Sequence, residues 1–83
     1  MRDVELAKRF GALIRHLRLQ GRMSQEDFAD RCGLHRTYIG SIERGEKTIT
    51  IETANRIARA LGIPLSQIFL LLETEKSDKD DNN

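Results

Sequence analysis

The amino-acid sequence predicts an all-α fold of five short helices. Apolar residues recur at helical spacing in several segments, glycines separate these segments, and no stretch alternates apolar and polar residues for long enough to predict a strand. The 83 residues suffice for one domain with a modest core. The single cysteine, Cys32, excludes an internal disulfide and a multi-cysteine metal site, and it favours a reducing compartment.

Glycines end the first three predicted helices. Helix 1 ends at Gly21. Its apolar stripe consists of Leu6, Phe10, Leu13, Ile14 and Leu17. Helix 2 opens at Ser24, whose hydroxyl can cap the helix, and ends at Gly33. Helix 3 extends from about residue 35 to residue 44 and is closed by Gly45.

Thr50 and Pro64 mark the starts of the last two predicted helices. Thr50 can cap helix 4, which Gly62 ends. The apolar stripe of helix 4 consists of Ile51, Ala54, Ile57, Ala58 and Leu61. Pro64 suits the first turn of helix 5. We expect helix 5 to complete a folded domain over residues 1–72, followed by an acidic, disordered tail over residues 73–83.

Charge is distributed unevenly along the chain. Five acidic residues and two lysines follow from residue 73, so this segment has a net charge of −3, whereas the preceding residues carry +4. Between Lys8 and Arg22 five cations follow one another without an intervening acid. A basic body suits a polyanionic partner. Alternatively, these cations only solvate the outer face of helix 1.

The residues of helices 2 and 3 follow the spacing of a helix-turn-helix. Counted from Gln25 as position 1, positions 4, 5, 9, 10, 15 and 18 are Phe28, Ala29, Gly33, Leu34, Ile39 and Ile42. Ala29 is small enough for helix 3 to cross closely over it, and Gly33 can adopt the positive φ of a tight turn. The apolar positions hold the two helices at a fixed angle through a shared core.

The segment from Met23 to Phe69 resembles the five-helix domain of lambda-type phage repressors and xenobiotic-response-element regulators. The pieces "SQEDFA", "YIGSIERG" and "IARALGIP" carry this resemblance, and "LHRTYIGSIERG" is most similar to the small controller proteins of restriction–modification systems. The resemblance implies a compact lambda-repressor-like fold and a sequence-specific transcription regulator. It would bind a roughly palindromic operator in double-stranded DNA as a homodimer, with helix 3 in the major groove. A phage-type repressor, an antitoxin-like regulator and a protein-binding adaptor that keeps the fold are alternatives.

The same resemblance implies which residues contact DNA. The predicted contacts are Gln25, His35, Arg36, Thr37, Tyr38, Gly40, Ser41, Arg44, Lys47 and Thr48. Arg36 is predicted to read a guanine, because its planar fork matches the paired acceptors of that base; a phosphate contact is the alternative. Gln25 is expected to bind a phosphate and to brace helix 3. Gly40 and Ser41 are expected on the exposed face, where a missing side chain at Gly40 would let DNA approach the backbone.

Other residues are predicted to hold the fold or to pair two copies. The resemblance implies that Arg18 and Glu43 form a structural ion pair between helix 1 and the end of helix 3. Helix 5 is apolar around most of its girth, with Leu65, Ile68 and Leu72 expected in the core. The remaining apolar residues are predicted to form a homodimer interface, namely Ile63, Phe69, Leu70 and Leu71. The alternative is that the whole run is buried within one copy.

The sequence does not favour an enzyme. It contains no nucleophile placed with a base, no phosphate-binding loop and no paired carboxylates in an apolar setting. No cofactor, metal or small-molecule ligand is predicted. The sequence also shows no apolar run long enough for a membrane span and no signal-peptide pattern at its start, so a cytoplasmic protein is expected.

Overall fold

Five helices make up the computed structural model, which describes residues 3–81 and the side chains of residues 3–74. The helices are α1 (Val4–Gln20), α2 (Gln25–Cys32), α3 (Arg36–Glu43), α4 (Ile51–Leu61) and α5 (Leu65–Asp81). Within residues 3–81 there is no strand. The all-α, five-helix prediction is therefore confirmed.

Side-chain caps explain where the helices begin. The Ser24 hydroxyl accepts a hydrogen bond from the Asp27 amide at 3.0 Å, and the Thr50 hydroxyl accepts one from the Thr53 amide at 3.1 Å. Each cap satisfies an amide that lacks a partner within its own helix. At the other end of α2, Gly33 has a φ of 72°, which a residue with a side chain rarely adopts. The predicted starts of α2 and α4 and the predicted turn after α2 are thus present.

The hydrophobic core lies where all five helices meet. Its fully buried large side chains are Phe28, Ile14, Ile39, Ile42, Ile57 and Ile68. Two residues of the predicted stripes behave differently, because Leu6 is 41% and Ile51 is 73% exposed. Both border an open recess at the surface, and Ile51 is the first residue of α4, so the expected place of these two residues in the apolar core is wrong.

Gly11 allows α1 to lie directly against the end of α3. A Cβ atom added at Gly11 would be 2.2 Å from the carbonyl oxygen of Ile42 and 2.7 Å from that of Glu43. Only a residue without a side chain permits this approach between two backbones. The position of α3 is therefore fixed by backbone contact as well as by apolar packing.

Helix α5 is longer than the sequence pattern indicates. It extends to Asp81, although we expected the helix to end near Leu72 and a disordered tail to follow. Neither glycine nor proline occurs after Pro64, and the added segment contains glutamate and lysine, which favour helices. The structure thus continues α5 to Asp81 through the segment for which disorder was expected; residues 82–83 lie outside the described part of the chain.

Within the described residues, no single helix has the length and apolar composition needed to cross a membrane. Helix α4 and the segment Leu65–Thr74 reach that composition only together, as a pair bent by 95°. Their buried residues belong to the core described above.

Candidate nucleic-acid interface

The inner side of α3 anchors this helix to the rest of the molecule. Ile39 and Ile42 are fully buried in the core, and α3 packs against both α1 and α2. The turn from Gly33 to His35 connects α2 to α3, and the His35 imidazole Nδ1 accepts a hydrogen bond from the Thr37 amide at 3.0 Å. Local capping and core packing together leave the outer side of α3 available for contact.

A buried ion pair ties α3 to α1. The side chains of Arg18 and Glu43 are only 7% and 2% exposed. Arg18 donates to Glu43 from Nε at 2.7 Å and from Nη2 at 3.0 Å. The predicted Arg18–Glu43 pair is therefore present, in the two-pronged geometry that guanidinium and carboxylate groups favour.

Two further hydrogen bonds complete this buried network. Arg18 Nη1 donates to the carbonyl oxygen of Met23 at 2.8 Å, and Gln25 Nε2 donates to Glu43 Oε1 at 3.0 Å. A buried ion pair requires such additional partners to offset the loss of water. Gln25 thus braces the end of α3 as expected, while its exposed position at the start of α2 leaves it accessible from outside.

Four exposed residues lie on the outer side of α3 or cap its ends, and we call them the recognition face. They are His35, Arg36, Thr37 and Arg44. Tyr38, beside them, is half-buried against the core. Lys47 and Thr48 are exposed in the loop that follows α3. Eight of the predicted DNA contacts, counting Gln25, are therefore at least partly accessible, and most of them lie on α3 or directly beside it.

Each arginine of the recognition face is paired with a glutamate. Arg36 donates from Nη1 to Oε2 of Glu26, a residue in the first turn of α2. Arg44 donates to Glu46 from Nε at 2.9 Å and from Nη2 at 3.2 Å. The hydrogen bond and charge of Glu46 raise the pKa of Arg44, and the hydrogen bond from Arg44 lowers the pKa of Glu46. All four side chains are more than half exposed, so water and salt weaken both pairs.

Gly40 and Ser41 are buried, so the expectation that they are exposed is wrong for the free chain. A Cβ atom at Gly40 would lie 3.1 Å from Arg44 Nη1 and 3.6 Å from Gln25 Oε1. The Ser41 hydroxyl donates to the carbonyl oxygen of Thr37 at 3.1 Å. The groups that cover Gly40 are the ends of two flexible side chains, so its backbone becomes accessible only when these side chains move.

Large apolar side chains are exposed on α1, at the start of α4 and on α5, and those of α5 bear on the predicted dimer interface. Ile68 and Leu72 are buried, whereas Phe69 is 42% and Leu70 is 56% exposed. Ile63 and Leu71, which were also predicted at the dimer interface, are half-buried against the core. Phe69 additionally borders an apolar recess of about 260 Å³ between α1, the α3–α4 loop and α5. Among the described side chains of α5, the exposed apolar surface is thus smaller than predicted and centres on Phe69 and Leu70.

Sequence reasoning missed the two glutamates of the recognition face. Glu26 and Arg36 are ten positions apart and lie on different helices, so helical spacing could not reveal their contact. Glu46 lies two residues after Arg44, and this short separation was the one feature of the sequence that could have indicated their contact. No group of histidine, cysteine and acidic residues suited to a metal ion occurs in the described part of the chain.

Five helices, a glycine turn between α2 and α3, and an exposed side with two arginines on an anchored α3 define a helix-turn-helix protein. The helix-turn-helix family model HTH_3 matches residues 14–68, and the chain belongs to this family.

Several relatives are controller proteins of restriction–modification systems. The chain is 46% identical over 55 residues to control protein C.BamHI of Bacillus amyloliquefaciens, covering 65% of this chain and 68% of the relative. It is 38% identical over 76 residues to control protein C.MunI of a Mycoplasma species, covering 90% of this chain and 100% of the relative.

A solved structure shows the same fold. The restriction–modification controller protein C.Esp1396I superposes with a TM-score of 0.81 and 33% identity, covering 88% of this chain and 95% of that one. A second structure of that protein, a tetramer in complex with its natural 35-base-pair operator, superposes with a TM-score of 0.79 and 34% identity, covering 84% of this chain and 92% of that one. The chain is a helix-turn-helix transcription regulator homologous to these controller proteins.

Proposed function

We propose that the chain is a restriction–modification controller that binds a roughly palindromic operator as a homodimer, with α3 in the major groove. The observation that carries the proposal is the recognition face: its residues are exposed and include two arginines, while the inner side of the same helix is locked by core packing and by the Arg18–Glu43 pair. C.Esp1396I, whose fold this chain shares, binds its operator as a tetramer. This supports DNA as the partner.

The residues of the recognition face have distinct roles in this proposal. Arg36 is the first residue of α3, and the first residues of a recognition helix are those that reach base edges. Its guanidinium can donate to both O6 and N7 of a guanine. Thr37 and the half-buried Tyr38 follow it and can contact a base or the sugar-phosphate backbone, and His35 lies at the same end of the helix.

Phosphate contacts would fix the orientation of α3. Gln25 lies at the start of α2, where exposed amides and the helix dipole attract an anion. Lys47 and Thr48 lie beyond the other end of α3 and can contact a second phosphate. Gly40, Ser41 and Arg44 would join the DNA contact after the Arg44 side chain moves off Gly40. Such contacts carry little sequence information, so discrimination rests chiefly on Arg36.

Two copies would pair through α5. Phe69 and Leu70 supply exposed apolar surface, and Ile63 and Leu71 border it from the core. A two-fold pairing places two recognition faces about 34 Å apart, one turn of DNA, and predicts a palindromic operator. The protein would act in the cytoplasm, where its DNA lies. It would act by binding, without catalysis and without a cofactor.

The test is to compare specific and non-specific binding of two arginine variants. Sites selected by the full chain from random duplexes serve as the specific probe, and a scrambled duplex of equal length serves as the non-specific probe. Arg36→Ala should weaken binding to the selected site by about 5- to 150-fold more than binding to scrambled DNA, because a bidentate guanine contact is lost. Arg59→Ala is the matched control, since Arg59 is an exposed arginine in the last turn of α4, a helix that packs on α2 and α5.

The outcomes separate the parts of the proposal. If Arg36→Ala lowers the affinity for both probes equally, Arg36 contacts a phosphate and does not read a base. If the full chain selects no site from random duplexes, the proposal of a sequence-specific regulator is rejected. Affinity for both probes should also fall steeply with salt, because phosphate contacts release counterions. Neighbouring genes for an endonuclease and a methyltransferase would support the controller role, whereas an adjacent toxin gene would contradict it.

A further inference from the structure

The two arginines of the recognition face are held in different ways. Arg44 uses Nε and Nη2, the side-on fork of its guanidinium, to bind both oxygens of Glu46. Arg36 uses only Nη1 to bind Glu26. Among the described residues the Arg36 guanidinium has no other hydrogen-bond partner. The side-on fork of Arg36, formed by Nε and Nη2, is therefore open.

An open side-on fork is the part of an arginine that can meet both acceptors of a guanine. Because Glu26 contacts the opposite edge of the guanidinium, Arg36 can keep this contact while the fork reads a base. A long side chain loses rotamer freedom when it binds, at a cost of roughly 0.5–1.5 kcal/mol, and a partner that restrains it beforehand lowers that cost. Arg44 lacks this arrangement, since its fork is already occupied.

We propose that Glu26 is a positioning residue that orients Arg36 for base reading and thereby sets the sequence specificity of the protein. This inference rests on the proposed DNA-binding function. Glu26 lies in the first turn of α2, beside the helix end proposed to meet a phosphate, so its charge also repels DNA. This repulsion weakens binding to selected and scrambled DNA alike, so the effect of Glu26 on discrimination comes from its contact with Arg36.

Asp27 provides a matched control for Glu26. Both residues lie in the first turn of α2 and are exposed, but only Glu26 contacts Arg36. Glu26→Gln and Asp27→Asn each remove one negative charge from the same turn. Their general effect on DNA attraction is therefore similar, and a difference between them isolates the contact with Arg36.

The experiment measures the ratio of affinities for the selected duplex and the scrambled duplex in both variants. Asp27→Asn should raise both affinities and leave the ratio unchanged. Glu26→Gln should lower the ratio by about two- to fivefold, the range expected from exposed ion pairs and side-chain ordering. Site selection with Glu26→Gln should relax preference at the same guanine that Arg36→Ala relaxes.

A double variant tests whether Glu26 acts through Arg36. In an Arg36→Ala background, adding Glu26→Gln should leave the affinity ratio unchanged. An equal ratio for Glu26→Gln and Asp27→Asn, or a further fall of the ratio in the Arg36→Ala background, would overturn the inference. Failure of the proposed function gives a different result, because the unmodified chain would then select no site at all. Thermal unfolding of the variants checks that the fold is retained.

Discussion

Replacing Gly11 by alanine tests whether backbone contact fixes the position of the recognition helix. The new Cβ atom would lie 2.2 Å from the carbonyl oxygen of Ile42 and 2.7 Å from that of Glu43. Carbon and carbonyl oxygen normally approach no closer than about 3.3 Å, so α1 must move away from α3 by about 1 Å. That movement would also loosen the buried pair between Arg18 and Glu43.

The expected loss of stability follows from two opposing effects. Overpacking a core typically costs about 1–3 kcal/mol, and the upper end applies here because a backbone carbonyl cannot rotate away. Alanine recovers about 1 kcal/mol relative to glycine inside a helix. The free energy of unfolding should therefore fall by about 2 kcal/mol. In a domain of this size the melting temperature should fall by about 8–16 °C.

Gly40→Ala is the matched control for this measurement. It also places alanine within a helix, but the atoms nearest to its Cβ would be Arg44 Nη1 at 3.1 Å and Gln25 Oε1 at 3.6 Å. Both atoms lie at the ends of flexible side chains. The free energy of unfolding of this variant should therefore equal that of the parent or exceed it by up to about 1 kcal/mol. Equal melting temperatures for the two variants would refute the tight α1–α3 contact. If Gly40→Ala binds the operator with unchanged affinity, DNA does not closely approach the backbone at Gly40.

Three further outcomes can be measured. Glu43→Gln should lower the free energy of unfolding in urea by about 3–5 kcal/mol, because it leaves the Arg18 charge buried without a carboxylate; a loss below about 1 kcal/mol would contradict a buried network. Leu70→Glu should give folded monomers by sedimentation, whereas Leu19→Glu, at a similarly exposed leucine of α1, should leave the mass unchanged; a persisting Leu70→Glu dimer would show that this surface is not part of the interface. Burial raises the pKa of Cys32 from 9.0 to about 11, so the folded state keeps this proton longer than the unfolded state and the free energy of unfolding should fall as pH rises through that window; the Cys32→Ala variant should lack this part of the slope.

Much of the fold could be predicted because its signals are local. The hydroxyls of Ser24 and Thr50 and the left-handed glycine at position 33 act within a few residues of their own position, so sequence spacing is sufficient to find them. The core residues Ile39 and Ile42 follow the same logic, since a helix buries one face. The length of α5 was harder to predict, because a charged segment without glycine or proline is compatible with both a helix and a disordered tail.

The features that could not be predicted depend on how distant segments meet. Gly11 reads as an ordinary helical glycine until the carbonyl groups of α3 are placed beside it. The contact of Arg36 with Glu26 joins two helices, and the side chain of Arg44 buries Gly40 by folding back over its own helix. Periodicity assigns residues to faces of a helix, but it does not say which long side chains will cover those faces.

The Gly11 contact also bears on the spacing that an operator must have. While Gly11 rests on the carbonyl groups of Ile42 and Glu43, α1 cannot slide along α3, and α1 in turn packs on α5. In a dimer formed through α5, the distance and the angle between the two recognition faces would therefore be fixed. One base pair inserted between the half-sites moves one of them by about 3.4 Å and rotates it by about 34°. A rigid dimer cannot follow that change, so the protein should be as selective for the spacing between the half-sites as for the bases themselves.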